Sequence, residues 1–296
     1  MDMMIIRAVL LGLIQGLTEF LPISSSAHLE FFGWLFNWFN SAAEYDFTSK
    51  LVDLLNVGTL IAMCIYFFKD GIELIKCGFS NLIIKVSKKS KIELNVDQKQ
   101  KGKMFWYFIA ATIPTGILYM GLNKISEKII GDNQSLHILL IAIASIIMGI
   151  LLYVVDRVCL VKKSFEDLSL KDSLIIGISQ AVAAVFPGVS RSGITISTSR
   201  TLRYDRATSA KVSFFLSIPL IAAGMLVKII GFIKDIGFDS SYWLPFIVGN
   251  FVSFVVGYLA IKGFMTYLKK GKYSIFAIYR VGFGILLIVL LLVRGF

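Results

Sequence analysis

Six apolar runs, most of them close to 20 residues long, dominate this sequence and restrict what it can fold into. They cover residues 51–68, 104–122, 138–155, 209–230, 244–262 and 275–293. A helix of about 20 apolar residues spans the hydrocarbon core of a bilayer, whereas the sequence lacks the alternating pattern of membrane β-barrels. With 56% hydrophobic residues, the chain also exceeds what one soluble core needs. The sequence therefore predicts an all-α polytopic membrane protein with about six transmembrane helices.

Two further apolar runs are too short to cross a bilayer, and each ends at a proline. Residues 5–21 stop before Pro22, and residues 173–186 stop before Pro187. Proline lacks an N–H and clashes with the preceding helical turn, so a helix is expected to end there. Backbone that leaves a helix at membrane depth is tolerated only where protein or water satisfies its hydrogen bonds. We therefore expect two re-entrant helical hairpins in addition to the six spans.

The basic residues are distributed unevenly between the apolar runs. The 69–103 segment carries nine lysines and no arginine, whereas the 123–137 and 231–243 segments carry two basic residues and one, respectively. Because cytoplasmic loops are enriched in Lys and Arg, the 69–103 loop is predicted to be cytoplasmic. Both termini are then outside, and the 156–172 and 263–274 loops are inside. The net charge of +11 is thus attributed to cytoplasmic loops that lie beside anionic lipid. Nucleic acid is not expected as a partner.

The two short runs resemble each other at a spacing of 165 residues. Four identities carry the match: Gly12, Gln15, Pro22 and Ser25 correspond to Gly177, Gln180, Pro187 and Ser190. Three spans follow each run, and an odd number of crossings makes the second unit enter the membrane from the opposite face. The sequence thus predicts an inverted-topology repeat within one membrane domain, with residues 1–155 as the first unit and 156–296 as the second. The two hairpins are expected to meet near mid-membrane.

The polar residues around the two prolines resemble those of a known family. The stretches QGLTEFLPISSSAH at 15–28 and PGVSRSGIT at 187–195 resemble the bacterial undecaprenyl-diphosphate phosphatase, or bacitracin-resistance, family. The similarity extends through LLNVGTLIA at 54–62, VSFFLSIPLIAAG at 212–224 and FAIYR at 276–280. The resemblance implies inverted repeats, re-entrant helices and hydrolysis of a polyprenyl diphosphate lipid to the monophosphate carrier of cell-wall assembly. It also implies a multi-pass protein of the bacterial plasma membrane whose site opens to the outer face.

Gln15 and Glu19 are candidate metal ligands. Their i, i+4 spacing places both on one helical face, and the family that they resemble allows glutamate or glutamine at the first position. Mg²⁺ prefers oxygen ligands and commonly binds through one or two carboxylates and substrate phosphates. We therefore expect Mg²⁺, or another divalent cation such as Ca²⁺, on Glu19 and the amide oxygen of Gln15. Polar packing between helices is the alternative role for both residues.

Arg191 is the candidate phosphate-binding residue of the second hairpin. Its guanidinium is permanently charged, can bind phosphate through two donors and can stabilise charge during phosphoryl transfer. Gly188 permits a tight turn before it. Ser190, Ser192 and Thr195 offer further hydroxyl donors, so these three residues and Gly188 are predicted to bind substrate together with Arg191. Snorkelling of Arg191 to the interface and capping of a helix by the hydroxyls are the alternatives.

Ser25 and His28 are candidates for the nucleophile and its base. Both are implicated in the family that the chain resembles, and their spacing of three residues places them on one helical turn. A serine hydroxyl is a weak nucleophile unless a base removes its proton. The prediction favours attack by Ser25, with His28 or Glu19 as proton acceptor, and leaves open attack by His28 or by water. Helix capping is the alternative role for Ser25.

Two neighbouring positions depart from the family pattern, and one acidic residue has two interpretations. Ala27 stands where glycine is common, and Glu30 stands where an apolar residue is expected. Glu30 is expected either to face the outer vestibule or to add a cation ligand. Asp53 is expected either to line the cavity or to lie near the outer interface, because Asn56 occupies the family's polar position.

A polyprenyl-phosphate transporter or flippase is the rival function, because transporters also use inverted repeats with broken helices. A structural scaffold would leave a buried Glu19 and Arg191 unexplained. Transport needs coordination and alternating access, whereas Ser25, His28 and Arg191 supply parts for phosphoryl transfer. The sequence therefore favours an enzyme. It leaves the oligomeric state open, with a homodimer as one option.

Overall fold

The computed structural model describes residues 2–38, 41–87, 93–130, 133–236 and 240–294. Within these ranges the chain forms thirteen α-helices and one 3-10 turn at Phe165–Asp167. The helices are α1 (Asp2–Thr18), α2 (Ser25–Leu35), α3 (Ala42–Leu54), α4 (Asn56–Tyr66), α5 (Phe68–Val86), α6 (Val96–Ile130), α7 (Gln134–Val158), α8 (Leu170–Ser179), α9 (Val182–Val185), α10 (Arg191–Thr201), α11 (Arg206–Ile236), α12 (Ser240–Leu268) and α13 (Ser274–Arg294). The predicted all-α class is confirmed.

Six helical segments of the described chain are long and apolar enough to cross a bilayer, as predicted. They are Glu44–Tyr66, Val96–Leu122, Gln134–Val158, Arg206–Asp235, Tyr242–Leu268 and Ser274–Arg294. The first span begins earlier than expected and consists of α3 and α4, which meet at Leu55. Its early part contains Lys50, paired with Asp46 at 2.8 Å, and Asp53, paired with Lys228 at 2.5 Å. These charges interrupt the apolar pattern, so the sequence alone indicated a later start.

The lysine-rich 69–103 segment is largely helical and is not the loop that the sequence predicted. Much of it belongs to α5, and α6 begins before the expected start of the second span. Leu74, Cys77 and Gly78 are buried on one face of α5, which packs along α6. Apolar residues at helical spacing between the lysines make α5 amphipathic. Lys88, which belongs to the predicted cytoplasmic loop, lies outside the described residues.

The first short run folds as a helix pair that turns back inside the protein. α1 ends at Thr18, because a continued helix would force the Thr18 carbonyl against the ring of Pro22. Residues 19–24, the first loop, then lead into α2. Near the start of α1, the guanidinium of Arg7 lies 5.7 Å from the ring centre of Trp38, beyond the end of α2. The pair therefore returns to the end of the molecule at which it begins, as expected of a re-entrant hairpin.

The second short run folds in the same way, with an added single turn of helix. α8 and α9 lead into residues 186–190, the second loop, and α10 follows. Asp172, in the first turn of α8, accepts a hydrogen bond of 2.6 Å from the hydroxyl of Tyr204, just beyond α10. Lys163 donates to the same carboxylate at 2.7 Å. This helix pair also returns to the end at which it begins.

The two helix pairs approach each other from opposite ends of α7. Glu30 of α2 lies 3.9 Å from His137 near the start of α7, whereas Arg200 of α10 lies 3.6 Å from Asp156 near its end. His137 and Asp156 are 19 residues apart, which corresponds to about 28 Å of helix, close to the thickness of a hydrocarbon core. The arrangement is consistent with the predicted inverted repeat, whose orientation in a bilayer stays a prediction.

The two predicted repeat units pack on each other reciprocally. α1 of the first unit packs along α12 of the second, and α8 of the second packs along α6 of the first. Glycines permit both approaches: a Cβ at Gly12 would lie 2.4 Å from the carbonyl oxygen of Gly249, and one at Gly177 would lie 3.0 Å from that of Ala111. The largest buried apolar cluster draws on both units. The predicted division after residue 155 therefore describes a sequence repeat and marks no separate core.

Candidate active site

A cavity of about 830 Å³ lies where the two loops meet. Its polar wall is formed by Glu19, Ser24, Ser25, Ser26, Asn56, Ser190, Arg191 and Ser192. Residues of α6 and α11 form another part of the lining, among them Gly116, Met120, Leu220, Ala223 and Gly224. The cavity is thus polar at the loops and, apart from Lys228 of α11, apolar along two spanning helices.

Glu19 is buried at the centre of the polar wall. Its Oε2 accepts hydrogen bonds from the Ser25 hydroxyl at 2.6 Å and from the Gln15 amide at 2.9 Å. Its Oε1 forms an ion pair with the guanidinium of Arg191. A buried carboxylate is costly unless it is paired and hydrogen-bonded, and these three partners satisfy it. One carboxylate therefore joins predicted site residues of both hairpins.

A serine with a left-handed backbone ends each loop. Ser24 has φ 77° and Ser190 has φ 70°, a region that residues other than glycine rarely adopt. Each serine also caps the following helix. Ser24 Oγ accepts from the Ala27 N–H at 3.3 Å, and Ser190 Oγ accepts from the Gly193 N–H at 3.1 Å. Residues held in such strained conformations cluster at functional sites, where the surrounding structure maintains them.

The second loop has one residue more than the first between its proline and its left-handed serine. Gly188 lies in this stretch with φ +85°, which agrees with the turn predicted there. The insertion shifts the equivalence of the loops by one position, so Ser24 corresponds to Ser190 and Ser25 corresponds to Arg191. The sequence match of Ser25 with Ser190 was therefore wrong, because it extended the earlier identities through the insertion without a gap.

Arg191 begins α10 and lines the cavity. Its Nη2 forms the ion pair with Glu19. Its buried Nε has no hydrogen-bond partner among the residues that the structure describes. A guanidinium presents five N–H donors in a fixed planar arrangement. The Nε donor of Arg191 is therefore unsatisfied by the described residues, and phosphate binding by Arg191 stays a prediction.

Gln15 and Asn56 extend the polar wall beside Glu19. Gln15 donates to the Asn56 side-chain oxygen at 3.0 Å, and its own amide oxygen is buried without a hydrogen-bond partner among the described residues. Those residues contain no cluster of three His, Cys, Asp or Glu side chains that could hold a metal ion. The oxygens of Glu19, Gln15 and Asn56 are hard donors, however, and fit a divalent cation that also binds water and phosphate.

His28 is buried and is not among the residues that line the cavity. Its Nδ1 lies 2.7 Å from the Ser24 carbonyl oxygen, and its Nε2 lies 2.7 Å from the Tyr279 hydroxyl. A carbonyl can only accept, so Nδ1 is the donor, and a neutral ring accepts from Tyr279 at Nε2. The ring also stacks on Phe283, with centroids 4.4 Å apart. Both nitrogens are engaged away from Ser25, and the predicted contact between His28 and the Ser25 hydroxyl is not formed.

The remaining predicted phosphate ligands divide into two groups. The first group lines the cavity and consists of Gly188, Ser190 and Ser192. The second is Thr195, which is fully buried and bonds to the Arg191 carbonyl at 2.9 Å and the Ser213 hydroxyl at 2.6 Å. Ser192 shares some of this supporting role, since its hydroxyl donates to the Leu21 carbonyl at 3.0 Å. The predicted contact of Thr195 with substrate is therefore not supported by its position.

Comparison with known proteins determines the family. The family model described as bacitracin resistance protein BacA matches residues 8–286. This chain belongs to the BacA family. A protein named undecaprenyl-diphosphatase from Moorella thermoacetica is 38% identical over 292 residues, which cover 99% of this chain and 100% of that relative. Relatives of the same name from Caldicellulosiruptor bescii and Nocardioides sp. are 36% and 38% identical, over 98% and 96% of this chain and the same shares of their own length.

Two acidic residues of this BacA-family chain lie near the polar wall without belonging to it. Glu30, beside His137, is not among the residues that line the cavity. Asp53 is paired with Lys228, which does line the cavity. Asp53 therefore does not line the cavity itself but pairs with a lysine that does. The position of Glu30 gives no support to its role as an added cation ligand.

Sequence reasoning did not identify two polar residues of α13 that support the BacA-family site. Tyr279 contacts the ring of His28, and Arg280 donates to the main-chain carbonyls of Pro22 and Gly188. Both belong to the FAIYR stretch that carried part of the family resemblance. That stretch was the available signal, but nothing in it indicates which loops the two side chains reach.

Proposed function

We propose that this chain is a membrane phosphatase that hydrolyses undecaprenyl diphosphate to undecaprenyl phosphate and inorganic phosphate, and so returns the carrier lipid to cell-wall synthesis. One observation carries the proposal: Ser25, Glu19 and Arg191 form a bonded unit at the polar end of a cavity with apolar walls. A nucleophile, a proton acceptor and a phosphate-binding cation are the parts that phosphoryl transfer requires. Relatives named undecaprenyl-diphosphatase support this choice of substrate.

The two kinds of cavity wall match the two parts of a lipid diphosphate. The polar wall takes the diphosphate, and Gly116, Leu220 and Gly224 offer an apolar surface to the adjoining isoprene units. A Cβ at Gly224 would have no neighbour within 4 Å, so the glycine leaves open space beside the cavity. A water-soluble diphosphate would leave this apolar surface unused.

In the proposed reaction, the Ser25 oxygen attacks the terminal phosphorus and the bond from that phosphorus to the bridging oxygen breaks. The Ser25 proton passes to Oε2 of Glu19, which accepts its hydrogen bond at 2.6 Å, and Glu19 passes it to the leaving lipid phosphate. Arg191 turns from Glu19 to the phosphoryl oxygens and stabilises their charge. Water then attacks the phosphoserine phosphorus and gives a proton to Glu19, the bond from that phosphorus to the Ser25 oxygen breaks, and Glu19 returns the proton to the freed Ser25 oxygen.

His28 has a positioning role in this proposal. Its Nδ1 holds the carbonyl of Ser24, the left-handed residue directly before Ser25. Fixing that carbonyl fixes the peptide plane that leads into Ser25, because the peptide unit is planar. His28 thereby directs the Ser25 hydroxyl towards Glu19 without taking its proton.

A divalent cation, Mg²⁺ or Ca²⁺, is part of the proposal. Glu19 and the unpartnered amide oxygen of Gln15 would hold it, with Asn56 as a further oxygen donor. When bound, the cation neutralises phosphate charge and polarises the phosphoryl group. Arg191 orients the diphosphate, and Ser25 supplies the attacking oxygen.

The proposed location is the bacterial plasma membrane, with the cavity open to the outer face. Arg206 begins α11 beside Asp156, at the end predicted to be cytoplasmic, where the two side chains are 2.6 Å apart. Lys228 lines the cavity and lies 22 residues further along α11, or about 33 Å of helix. The cavity therefore extends towards the predicted outer end. The transporter alternative gains no support, because the compared relatives are named as diphosphatases.

Phosphate release by purified protein tests the function. The detergent-solubilised chain is incubated with C55 polyprenyl diphosphate, and both inorganic phosphate and the lipid monophosphate are measured with Mg²⁺, with Ca²⁺ and after chelation. We expect equal amounts of both products and loss of turnover on chelation. A monodisperse, folded preparation that releases no phosphate with either cation would contradict the enzyme. Lipid movement in vesicles without phosphate release would favour the transporter.

Gly224→Leu tests whether the apolar wall holds the lipid chain. Leucine would project into the open space at this position, so we expect KM for the C55 substrate to rise about tenfold, with little change for a water-soluble C5 diphosphate. Gly263→Leu is the matched control, because a Cβ there also has no neighbour within 4 Å but Gly263 does not line the cavity. Equal effects of both variants on the C55 substrate would remove the lipid-wall assignment.

A further inference from the structure

We propose that Arg280 is a positioning residue that holds the first and second loops together at the active site. This inference rests on the proposed phosphatase function, since it concerns how the reacting groups are aligned. Arg280 lies on α13 and is 1% exposed. It does not line the cavity, so it acts on the reaction only through the loops.

The guanidinium of Arg280 bonds to main-chain carbonyls of both loops. Its Nη1 donates to Pro22 of the first loop at 3.0 Å, and its Nη2 donates to Gly188 and Val189 of the second loop at 2.7 Å and 3.1 Å. Its Nε is 3.4 Å from the carbonyl of Ser145 on α7. One rigid planar group therefore connects two loops that are more than 160 residues apart in sequence.

The charge of Arg280 lacks the usual partner of a buried arginine. Within the described part of the chain, no carboxylate lies within 4.0 Å of its guanidinium, whereas fully buried Arg200 lies 3.6 Å from Asp156. A buried charge is costly unless it is paired or its hydrogen bonds are satisfied. Here main-chain carbonyls supply that compensation, so the bonds to the loops are what make the buried guanidinium tolerable.

The bonded carbonyls lie just before the two left-handed serines. Val189 directly precedes Ser190, and Pro22 lies two residues before Ser24. Because a trans peptide is planar, with its C=O and N–H pointing in opposite directions, holding the Val189 carbonyl turns the Ser190 N–H away from Arg280. Strained backbone persists only where its surroundings over-determine it. Arg280 supplies this constraint in both loops at once.

The packing around Arg280 leaves space for the guanidinium and for little else. A Cβ at Gly193 would lie 3.1 Å from Arg280 Nη1, and one at Gly149 would lie 3.1 Å from Arg280 Cβ. Gly193 follows Arg191 by two residues, so the guanidinium also packs against the start of α10. Arg280 therefore fixes the relative placement of the helices that begin with Ser25 and Arg191.

Arg280→Lys tests the inference, because an ammonium keeps the charge but cannot span carbonyls of both loops. Arg200→Lys is the matched control, since Arg200 is equally buried and its hydrogen bonds and ion pair reach Tyr204, Asp156 and Cys159, none of which lines the cavity. The fraction folded, kcat and KM are measured with C55 polyprenyl diphosphate in the full-length chain. Corrected for the folded fraction, we expect kcat of Arg280→Lys to fall at least thirtyfold with KM within threefold. Arg200→Lys should keep kcat within threefold of wild type.

Two results with the lysine variants would overturn the positioning role. One is a folded Arg280→Lys protein with near wild-type kcat, and the other is an equal loss of kcat in both lysine variants. If Arg280→Lys does not fold, Gly193→Ala is tested in a Ser190→Gly background, because a Cβ at Gly193 would lie 3.1 Å from both Arg280 Nη1 and Ser190 Cβ. The double variant then displaces the guanidinium without removing it and should lower kcat at least fivefold relative to Ser190→Gly alone. Gly231→Ala in the same background is the control, since a Cβ there has no neighbour within 4 Å, and equal kcat in the two double variants also overturns the inference. Failure of the proposed function is distinguishable, because wild type itself would then release no phosphate.

Discussion

The first and second loops share a backbone and differ in chemistry. Each ends in a left-handed serine that caps the next helix, and each capping hydroxyl lies 3.2 Å from the hydroxyl two residues later. The residue between the two hydroxyls begins the next helix, and it is Ser25 after the first loop and Arg191 after the second. The backbone is thus duplicated, whereas the reacting group is not.

The difference shows how a duplicated scaffold can build one asymmetric site. The same turn directs the residue after the left-handed serine towards the meeting point of the two units. The first unit also supplies Glu19, whose counterpart at the spacing of the sequence repeat is Ala184. Ser25, the proposed nucleophile, and its carboxylate partner Glu19 therefore face the guanidinium of Arg191, and the four predictions below test this division of roles.

Removal of the Ser25 hydroxyl is expected to have the largest effect. Ser25→Ala deletes the proposed nucleophile, so kcat for phosphate release should fall by roughly 10³-fold or more while lipid diphosphate still binds. Ser26→Ala is the control, because Ser26 also lines the cavity and its hydroxyl contacts that of Ser24. It should lose less than tenfold. Similar kcat values for the two variants would deny Ser25 its special role.

Replacement of Arg191, the cation directly after the second loop, is expected to rank next. Arg191→Lys keeps the charge and removes the planar pair of donors, so kcat/KM should fall roughly 10²-fold. Arg157→Lys controls for a general arginine effect, since Arg157 is exposed and stacks on Tyr153. Wild-type turnover in Arg191→Lys would mean that this position needs only a positive charge.

His28 of α2 sharpens the comparison, because α10 has Ile194 at the equivalent position. If His28 only positions Ser24, His28→Ala should lower kcat by about tenfold, far less than the loss in Ser25→Ala. His137→Ala, which changes the other histidine of the chain, is the control. A loss as large as that of Ser25→Ala would place His28 in the chemistry itself.

The left-handed serines should give the smallest and most symmetrical effects. Ser24→Ala and Ser190→Ala each remove a helix cap and should each lower the free energy of unfolding by about 1 kcal/mol. The glycine variants should cost only a few tenths of a kcal/mol, because glycine tolerates the positive φ. Thermal unfolding in detergent measures all four. Clearly unequal losses in the two alanine variants would show that the loops are not mechanically equivalent.

The sequence was sufficient for features that depend on local pattern. Six spans follow from apolar length, and the two helix breaks follow from Pro22 and Pro187. The amphipathic helix α5 was not predicted, because the nine lysines of the 69–103 segment indicated a charged loop and the apolar residues at helical spacing between them gave a weaker signal.

The bonds within the site could not be predicted in the same way. The i, i+4 and i, i+3 spacings correctly placed Gln15 beside Glu19, but they did not exclude a bond from Ser25 to Glu19 instead of His28. The partner of His28 is Tyr279, 251 residues away. The hydrogen-bond partner of each side chain depends on which helices pack together, and the local spacing of residues in one sequence does not determine that.

The ion pair between Glu19 and Arg191 must open for each substrate and can close again after each turnover. In the proposed reaction, inorganic phosphate stays bound to the Arg191 guanidinium only until the Glu19 carboxylate forms the ion pair again. The carboxylate is tethered in the same site and so acts at a high effective concentration, whereas inorganic phosphate must bind again from solution. The enzyme thus carries its own competitor for the product, and inorganic phosphate should inhibit it only weakly.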